Sequence, residues 1–328
     1  MNFDPQLSTQ TAVSLALLAS LLWGSWAIIL KYTIKLPLEV FYLVLLSAAL
    51  VFIWGLGFIL DGNTLIESIG STLGSDPARV ILTLLGGFVS AVTNSSSVWV
   101  MQTVGLALAQ PISASLSLIF GTLVSYLIGG IPGDMPFWRL IVAGGLLIAA
   151  VFFSFLSGKS RPEDLERGRG KINAKVFLFS LIAAMTGVIY STTISYGLKS
   201  VTQPDGLAVM PYLCLFITGA WLGAMIFCSY LISKRREWVL LKKINPKLVL
   251  QISVASWTHY GGNVLHAYAT RQLSSVLSWP LGMTSGLWIQ IWGLAYGEFK
   301  DAPRKAYWFL AASIVAYLAG AFIISNVS

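Results

Sequence analysis

Apolar residues fill long stretches of this chain, and polar and charged residues are confined to the short segments between them. An apolar run of about 18 residues or more predicts a helix that crosses a membrane. Ten such runs can be traced, near 11–34, 37–60, 79–102, 107–129, 137–157, 173–198, 206–233, 247–270, 273–296 and 304–326. The pattern therefore predicts an all-α polytopic membrane protein with ten transmembrane helices.

The basic residues are distributed unevenly among the segments that join these runs. We number each connection by the run that precedes it. Of the 21 Lys and Arg residues, 17 lie in or beside the odd-numbered connections and four lie in or beside the even-numbered ones. Because Lys and Arg concentrate on the cytoplasmic side of a membrane protein, the odd-numbered connections are expected in the cytoplasm and both termini outside. The net charge of +8 is then a signal of topology, and no binding of nucleic acid is expected.

The longest charged segment divides the ten runs into two sets of five. We expect residues 1–157 and 173–328 to form two five-helix repeats, joined by a cytoplasmic linker at 158–172. Because five is odd, the two repeats would have opposite orientations, as in many secondary transporters whose substrate site lies between inverted repeats. Asn94 and Pro111 recur as Asn263 and Pro280, at a constant offset of 169 residues.

Composition excludes a large soluble domain. Hydrophobic residues make up 56% of the chain and charged residues only 10%, against roughly 25% in soluble proteins. Cys214 and Cys228 lie in one apolar run and are expected to pack as small apolar residues. No metal site is expected, because no set of ligands with suitable spacing is evident.

Two of the predicted helices carry polar stripes with a spacing of three or four residues, which places each stripe on one helical face. The third run contributes Gly87, Ser90, Asn94 and Ser97. The eighth contributes Ser256, His259, Asn263, His266 and Thr270. These residues either join helices by hydrogen bonds or line a shared solute cavity, and we favour the cavity for Asn94, His259 and Asn263.

His259 and His266 are the only histidines, and no Asp or Glu lies deep in a predicted helix. An imidazole can take up a proton near neutral pH, which makes the histidines candidates for proton coupling, with His259 first. Packing as neutral rings is the alternative. The absence of a deep carboxylate argues against lipophilic cations as substrates.

Aromatic side chains supply further candidate contacts. Trp23 and Trp26 lie three residues apart near the middle of the first run, beside small residues that permit close helix approach, and Tyr190 lies in the sixth run. An indole inside a membrane provides a flat apolar wall and one N–H donor, although helix packing would also explain it. Gln110 and Trp279 each precede a proline, where an interrupted helix could form part of a transporter site.

The segments LLWGSWAIILKY (21–32), LPLEVFYLVLLSAAL (36–50) and GLALAQPISASLSLIFGTLVSYLIGG (105–130) resemble the drug/metabolite transporter superfamily. The branch most similar is that of the ureide permeases, which are related to the glucose/ribose and rhamnose uptake carriers. This resemblance implies ten helices in a five-plus-five inverted repeat and proton symport of allantoin, uracil, xanthine or similar heterocycles. The long central loop of the plant members is short here.

The sequence thus predicts a secondary active transporter that imports a small neutral polar solute, most of all a ureide or nucleobase-like heterocycle, by proton symport and alternating access. The alternatives are a monosaccharide:proton symporter of rhamnose or glucose type and a drug/metabolite exporter. Sodium remains an alternative coupling ion, because carbonyls and hydroxyls can bind it. We expect no cofactor and no enzyme activity. The expected location is a bacterial inner membrane or a plasma membrane, with the chain as a monomer or homodimer among lipids.

Overall fold

The computed structural model describes residues 5–33, 36–104, 106–132, 136–160, 174–297 and 299–325, without the side chains of 102, 104, 106–113 and 115. In this part of the chain the fold is helical, and two isolated β-bridges between 198 and 207 are the only extended pairings. The prediction of an all-α protein is confirmed.

The helices follow one another with short connections. They are α1 Thr9–Ser25, α2 Leu38–Asp61, α3 Thr64–Ser75, α4 Pro77–Val104, α5 Leu106–Gly129, α6 Phe137–Lys159, α7 Ala174–Gly197, α8 Val209–Arg235, α9 Trp238–Lys243, α10 Pro246–Leu273, α11 Ser275–Gly282, α12 Ser285–Ala295 and α13 Arg304–Ser325. A 3₁₀ helix, Trp26–Lys31, continues α1.

Seven helices in the described residues are long and apolar enough to cross a membrane. They are Thr9–Lys31, Leu38–Asp61, Pro77–Met101, Phe137–Lys159, Ala174–Gly197, Val209–Arg235 and Arg304–Ser325. The three other predicted runs are helical as well, in α5, in α10 and in the pair α11 and α12. The chain is therefore a polytopic helical membrane protein, and the number ten remains a prediction.

The run at 273–296 is two helices rather than one. Pro280 lies inside α11, where it has no N–H to donate to the preceding turn, and α11 ends two residues later at Gly282. The second helix, α12, begins at Ser285. The interruption expected beside Pro280 is present, at the centre of the bundle.

The helices pack in pairs that link the two ends of the sequence. Helix α4 packs against α7 and α8, and α10 packs against α1 and α2. Helix α5 packs against α7, while α11 and α12 pack against α1. Two further pairs are α2 with α8 and α6 with α13. The first half of the chain and the second therefore form one interlocked bundle.

Backbone contact between α4 and α8 depends on two glycines. A Cβ added at Gly87 would collide with the carbonyl oxygen of Phe216, and one added at Gly219 would collide with the carbonyl oxygen of Leu84. Because glycine has no side chain, the two helix backbones approach each other directly. This contact brings Asn94, later in α4, close to the centre of the bundle.

Polar contacts hold neighbouring helix ends together at both ends of the bundle. At one end, Arg235 of α8 donates to the buried carboxylate of Glu39 in α2 at 2.9 Å. At the other, the Arg79 guanidinium donates to the carbonyl of Tyr196 at 2.8 Å. Hydrogen bonds from Arg79 also lower the pKa of the Asp76 carboxyl. The start of α2 and the end of α8 thus lie together, as do the start of α4 and the end of α7.

Candidate functional site

An internal cavity lies between the two halves of the chain, about midway along several helices. The space open to the centre of a water molecule is about 170 Å³, which is room for several waters or a small solute. Seven of the eight candidate substrate-binding residues line it: Trp23, Trp26, Asn94, Tyr190, His259, Asn263 and Trp279. Ser90 and Ser97 of the first polar stripe line it as well. His266 lies behind this wall, and the side chain of Gln110 lies outside the described residues.

Trp23 is held between two glycines from the second half of the chain. A Cβ on Gly262 would lie 2.7 Å from the indole Cδ1, and one on Gly282 would lie 2.6 Å from Cζ3. The indole Nε1 donates to Oδ1 of Asn263 at 2.8 Å. Because the indole N–H is only a donor, this bond fixes the Asn263 amide, and its nitrogen remains available to donate to a solute in the cavity.

Trp279, in α11, is likewise held between two glycines. Its ring lies against Gly121 of α5 and Gly187 of α7, where added Cβ atoms would come within 2.5 and 3.0 Å. Its Nε1 donates to the carbonyl of Ser117 at 3.2 Å. The ring is 4% exposed, so that Trp279 forms a rigid wall of the cavity.

Asn94 is oriented by Tyr42. The Tyr42 hydroxyl donates to the carbonyl of Ala91 at 3.0 Å, so its oxygen must accept from Nδ2 of Asn94, 3.3 Å away. The Oδ1 of Asn94 is then an acceptor without a donor among the described protein groups. The two asparagines at the predicted offset of 169 therefore offer complementary groups, an acceptor on Asn94 and a donor on Asn263.

His259 is partly buried in the cavity wall between two aromatic rings. Its imidazole makes edge contacts with Trp26 and with Tyr260, both with ring centroids 4.9 Å apart. Nδ1 is buried and has no hydrogen-bond partner among the described residues. The ring is thus held by packing, and one nitrogen is left for water, a proton or a solute.

His266 is fully buried beneath Trp23, with ring centroids 4.9 Å apart. The Tyr190 hydroxyl lies 3.2 Å from its Nδ1, and Thr270 lies 3.4 Å from the same atom. Nε2 is buried without a partner in the described structure. Tyr190, Trp23 and Trp279 line the cavity and contact the His266 ring, so these three side chains separate His266 from the solute space.

The described residues that line the cavity carry no permanent charge. Among the described residues that form its wall, the titratable side chains are His259 and the three tyrosines Tyr42, Tyr190 and Tyr260. A charged solute would lose its hydration here without gaining a counter-ion, at a free-energy penalty of several kcal/mol. The cavity therefore suits a neutral solute.

Three aromatic lining residues escaped the analysis of the sequence: Tyr42, Phe216 and Tyr260. Tyr42 lies near the start of an apolar run, where tyrosine is typical of the membrane interface and gives no sign of an inward role. Tyr260 directly follows His259, and Phe216 contacts the Tyr190 ring with centroids 5.5 Å apart. A one-residue neighbour of a polar stripe falls off its helical face, so spacing alone could not find Tyr260.

Comparison with known proteins shows the fold alone. No family model and no curated protein matches the chain. Thirteen solved chains match. One, a crystal structure, covers 96% of this chain and 96% of its own, with 12% sequence identity and a TM-score of 0.59. The whole helical bundle, including both halves, is therefore an arrangement that a distant sequence also adopts.

Proposed function

We propose that this chain is a secondary active transporter that imports a small neutral solute, most of all a ureide or nucleobase-like heterocycle. The observation that carries the proposal is the uncharged central cavity, in which Asn94 and Asn263 offer an acceptor and a donor. An amide or ureide edge presents an N–H beside a C=O, which complements this pair. The indoles of Trp23 and Trp26 would flank the flat ring.

The packing of the helices supports two inverted five-helix repeats, with ten spans in all. At the offset of 169 residues, α4 corresponds to α10 and α5 to the pair α11 and α12. Helices α4 and α5 pack on α7, and their counterparts α10, α11 and α12 pack in the same way on α1. Helices α2 and α8, which correspond to each other, are paired, as are α6 and α13. A cavity between such repeats suits alternating access.

A proton is the proposed coupling ion, and His259 is its proposed carrier. The imidazole has a free buried nitrogen at the cavity wall, and protonation there would gain cation–π attraction from Trp26. A solute bound beside the ring would then share the cavity with the proton. Both termini would face outward, and the membrane would be a bacterial inner membrane or a plasma membrane.

A monosaccharide is the second candidate. Hydroxyl groups of Ser90, Ser97 and Thr186 also line the cavity, and a sugar hydroxyl both donates and accepts. Sugar faces stack on indoles as well. The amides favour the heterocycle, because Asn94 offers an acceptor and Asn263 a donor, which match an N–H and a C=O of such a ring.

The test is uptake of labelled uracil, allantoin and rhamnose into proteoliposomes, with and without an inward proton gradient. We expect accumulation of uracil or allantoin that a protonophore abolishes. Asn94→Leu and Asn263→Leu should each reduce uptake at least tenfold, while Asn63→Ala, which precedes α3 outside the cavity, should leave it unchanged. If rhamnose alone accumulates, the proposed substrate would be a sugar instead of a heterocycle. Uptake unaffected by both cavity variants would contradict it.

A further inference from the structure

A second, smaller pocket adjoins the central cavity. It lies between the 3₁₀ helix, α6, α12 and α13, and the space open to the centre of a water molecule is about 40 Å³. Ala114 and Ser285 line both spaces, so the two are neighbours. Lys31 and Gly158, at helix ends predicted to face the cytoplasm, line the far part of the pocket. The pocket therefore extends from the central cavity toward that side.

The single amide in this pocket, Gln290, is 6% exposed and has a fixed orientation. Ser313 donates its hydroxyl proton to the carbonyl of Ala150 at 2.7 Å. Its oxygen must then accept from Nε2 of Gln290, which lies 2.9 Å away. The amide nitrogen also donates to the hydroxyl oxygen of Ser154. In the reversed carboxamide, Oε1 would face the Ser313 oxygen, and two acceptors would oppose each other while Ser313 donates to Ala150.

This orientation leaves one unsatisfied acceptor and one unused donor. Oε1 of Gln290 is buried and has no donor among the described residues. The Ser154 oxygen accepts from Gln290, while the Ala150 carbonyl, four residues earlier in its helix, accepts from Ser313. The Ser154 hydroxyl proton thus has no protein acceptor in the described structure. A buried acceptor without a donor is destabilising, and a ligand or water that donates to Oε1 would relieve this.

We infer that the Gln290 pocket is a second solute site on the cytoplasmic side, and that it binds the same amide or ureide edge as the central cavity. The inference rests on the proposed function. A solute N–H would donate to Oε1 of Gln290, and its C=O would accept from Ser154. The pair repeats the acceptor and donor of Asn94 and Asn263, so a solute that leaves the central cavity finds equivalent partners before release.

The pocket dimensions agree with a transient contact rather than full enclosure. A volume of about 40 Å³ exceeds the roughly 10–15 Å³ that one water needs, but it is less than a quarter of the central cavity. Apolar groups form much of the remaining wall, including Ile28, Ile289 and Trp292. The polar edge of a small ring would enter, with its apolar face against Trp292.

Equilibrium binding of labelled uracil and allantoin to the purified full-length protein tests the inference. We expect two equivalents of the bound solute in the wild-type protein, and one equivalent in Gln290→Leu. Ser154→Ala keeps the bond between Gln290 and Ser313 and should also bind one equivalent. Asn94→Leu, which alters only the central cavity, should retain the equivalent that Gln290→Leu loses. Quenching of Trp292 fluorescence should accompany that equivalent and disappear in Trp292→Phe.

The outcomes separate this inference from the proposed function. The wild-type protein could instead bind one equivalent, which Asn94→Leu abolishes and Gln290→Leu leaves unchanged. This result would overturn the second site and make water the partner of Gln290, but it would leave the proposed function intact. No binding of either solute by correctly folded protein would overturn both.

Discussion

The hydrogen bond between Trp23 and Asn263 joins the first helix to the tenth and offers a direct test of how the cavity wall is held. In Trp23→Phe the N–H is lost, and Oδ1 of Asn263, a residue 4% exposed, loses its donor. In Asn263→Leu the indole N–H loses its acceptor instead. The double variant removes both partners. The difference between the summed single effects and the double effect therefore isolates the bond.

The structure places the coupling free energy at the upper end of the range for membrane proteins. Side-chain hydrogen bonds between membrane helices average about 0.6 kcal/mol and reach about 1.7 kcal/mol. The distance of 2.8 Å and the near-complete burial of Asn263 favour about 1.5 kcal/mol. This corresponds to roughly a tenfold change in the unfolding equilibrium constant.

The assay measures the reversible unfolding of the wild-type protein, the two single variants and the double variant in bicelles by steric trapping. The control cycle replaces Trp23→Phe with Trp308→Phe, because Trp308 is 76% exposed on the outer surface. Trp308 and Asn263 should show no coupling. If the coupling for Trp23 is no larger than this control, the indole does not depend on Asn263, and the derived orientation of the Asn263 amide is wrong.

Three further predictions concern packing, coupling and topology. Gly219→Leu should destabilise the protein by about 1–3 kcal/mol or more in the same unfolding assay, because the new side chain would meet the α4 backbone. Gly55→Leu is the control and should not destabilise the protein, because no atom lies near its Cβ. Equal stabilities of the two variants would contradict the close contact. His259→Gln should abolish proton-driven accumulation of uracil while counterflow exchange persists, and accumulation that remains proton-driven would exclude His259 as the carrier. Val201→Cys, at a position 54% exposed, should react with a membrane-impermeant maleimide in intact cells, and Arg236→Cys should react only after permeabilisation. Both native cysteines are buried, so they should not react; the reverse labelling pattern would invert the topology.

Helical periodicity grouped several of the residues that line the central cavity. Asn94 and Asn263 each lie in a stripe spaced by three and four residues, and both amides line one cavity. The stripe does not reveal what each amide binds. Asn263 accepts from Trp23 and Asn94 donates to Tyr42, and these partners come from other helices whose register the sequence does not encode locally.

The features that the sequence did not predict depend on tertiary contacts. Gln290 is one amide in an otherwise apolar run, without a second polar residue at helical spacing to mark a face. Its environment is created by Ser154 and Ser313, which lie in two other helices. Helix α3 was also missed, because its mixture of small and polar residues resembles a connection, and only Leu65 is buried.

The glycines beside Trp23 limit where the central cavity of the proposed transporter can be enlarged. On that side the wall consists of an indole pressed against the backbones of Gly262 and Gly282, and any side chain added at either glycine would displace the ring. A larger solute would therefore need shorter side chains elsewhere in the wall, such as at Met101 and Met283, which are flexible and line the same cavity. A directed-evolution library confined to these two methionines should yield altered substrate range at a much higher frequency than one built around Trp23.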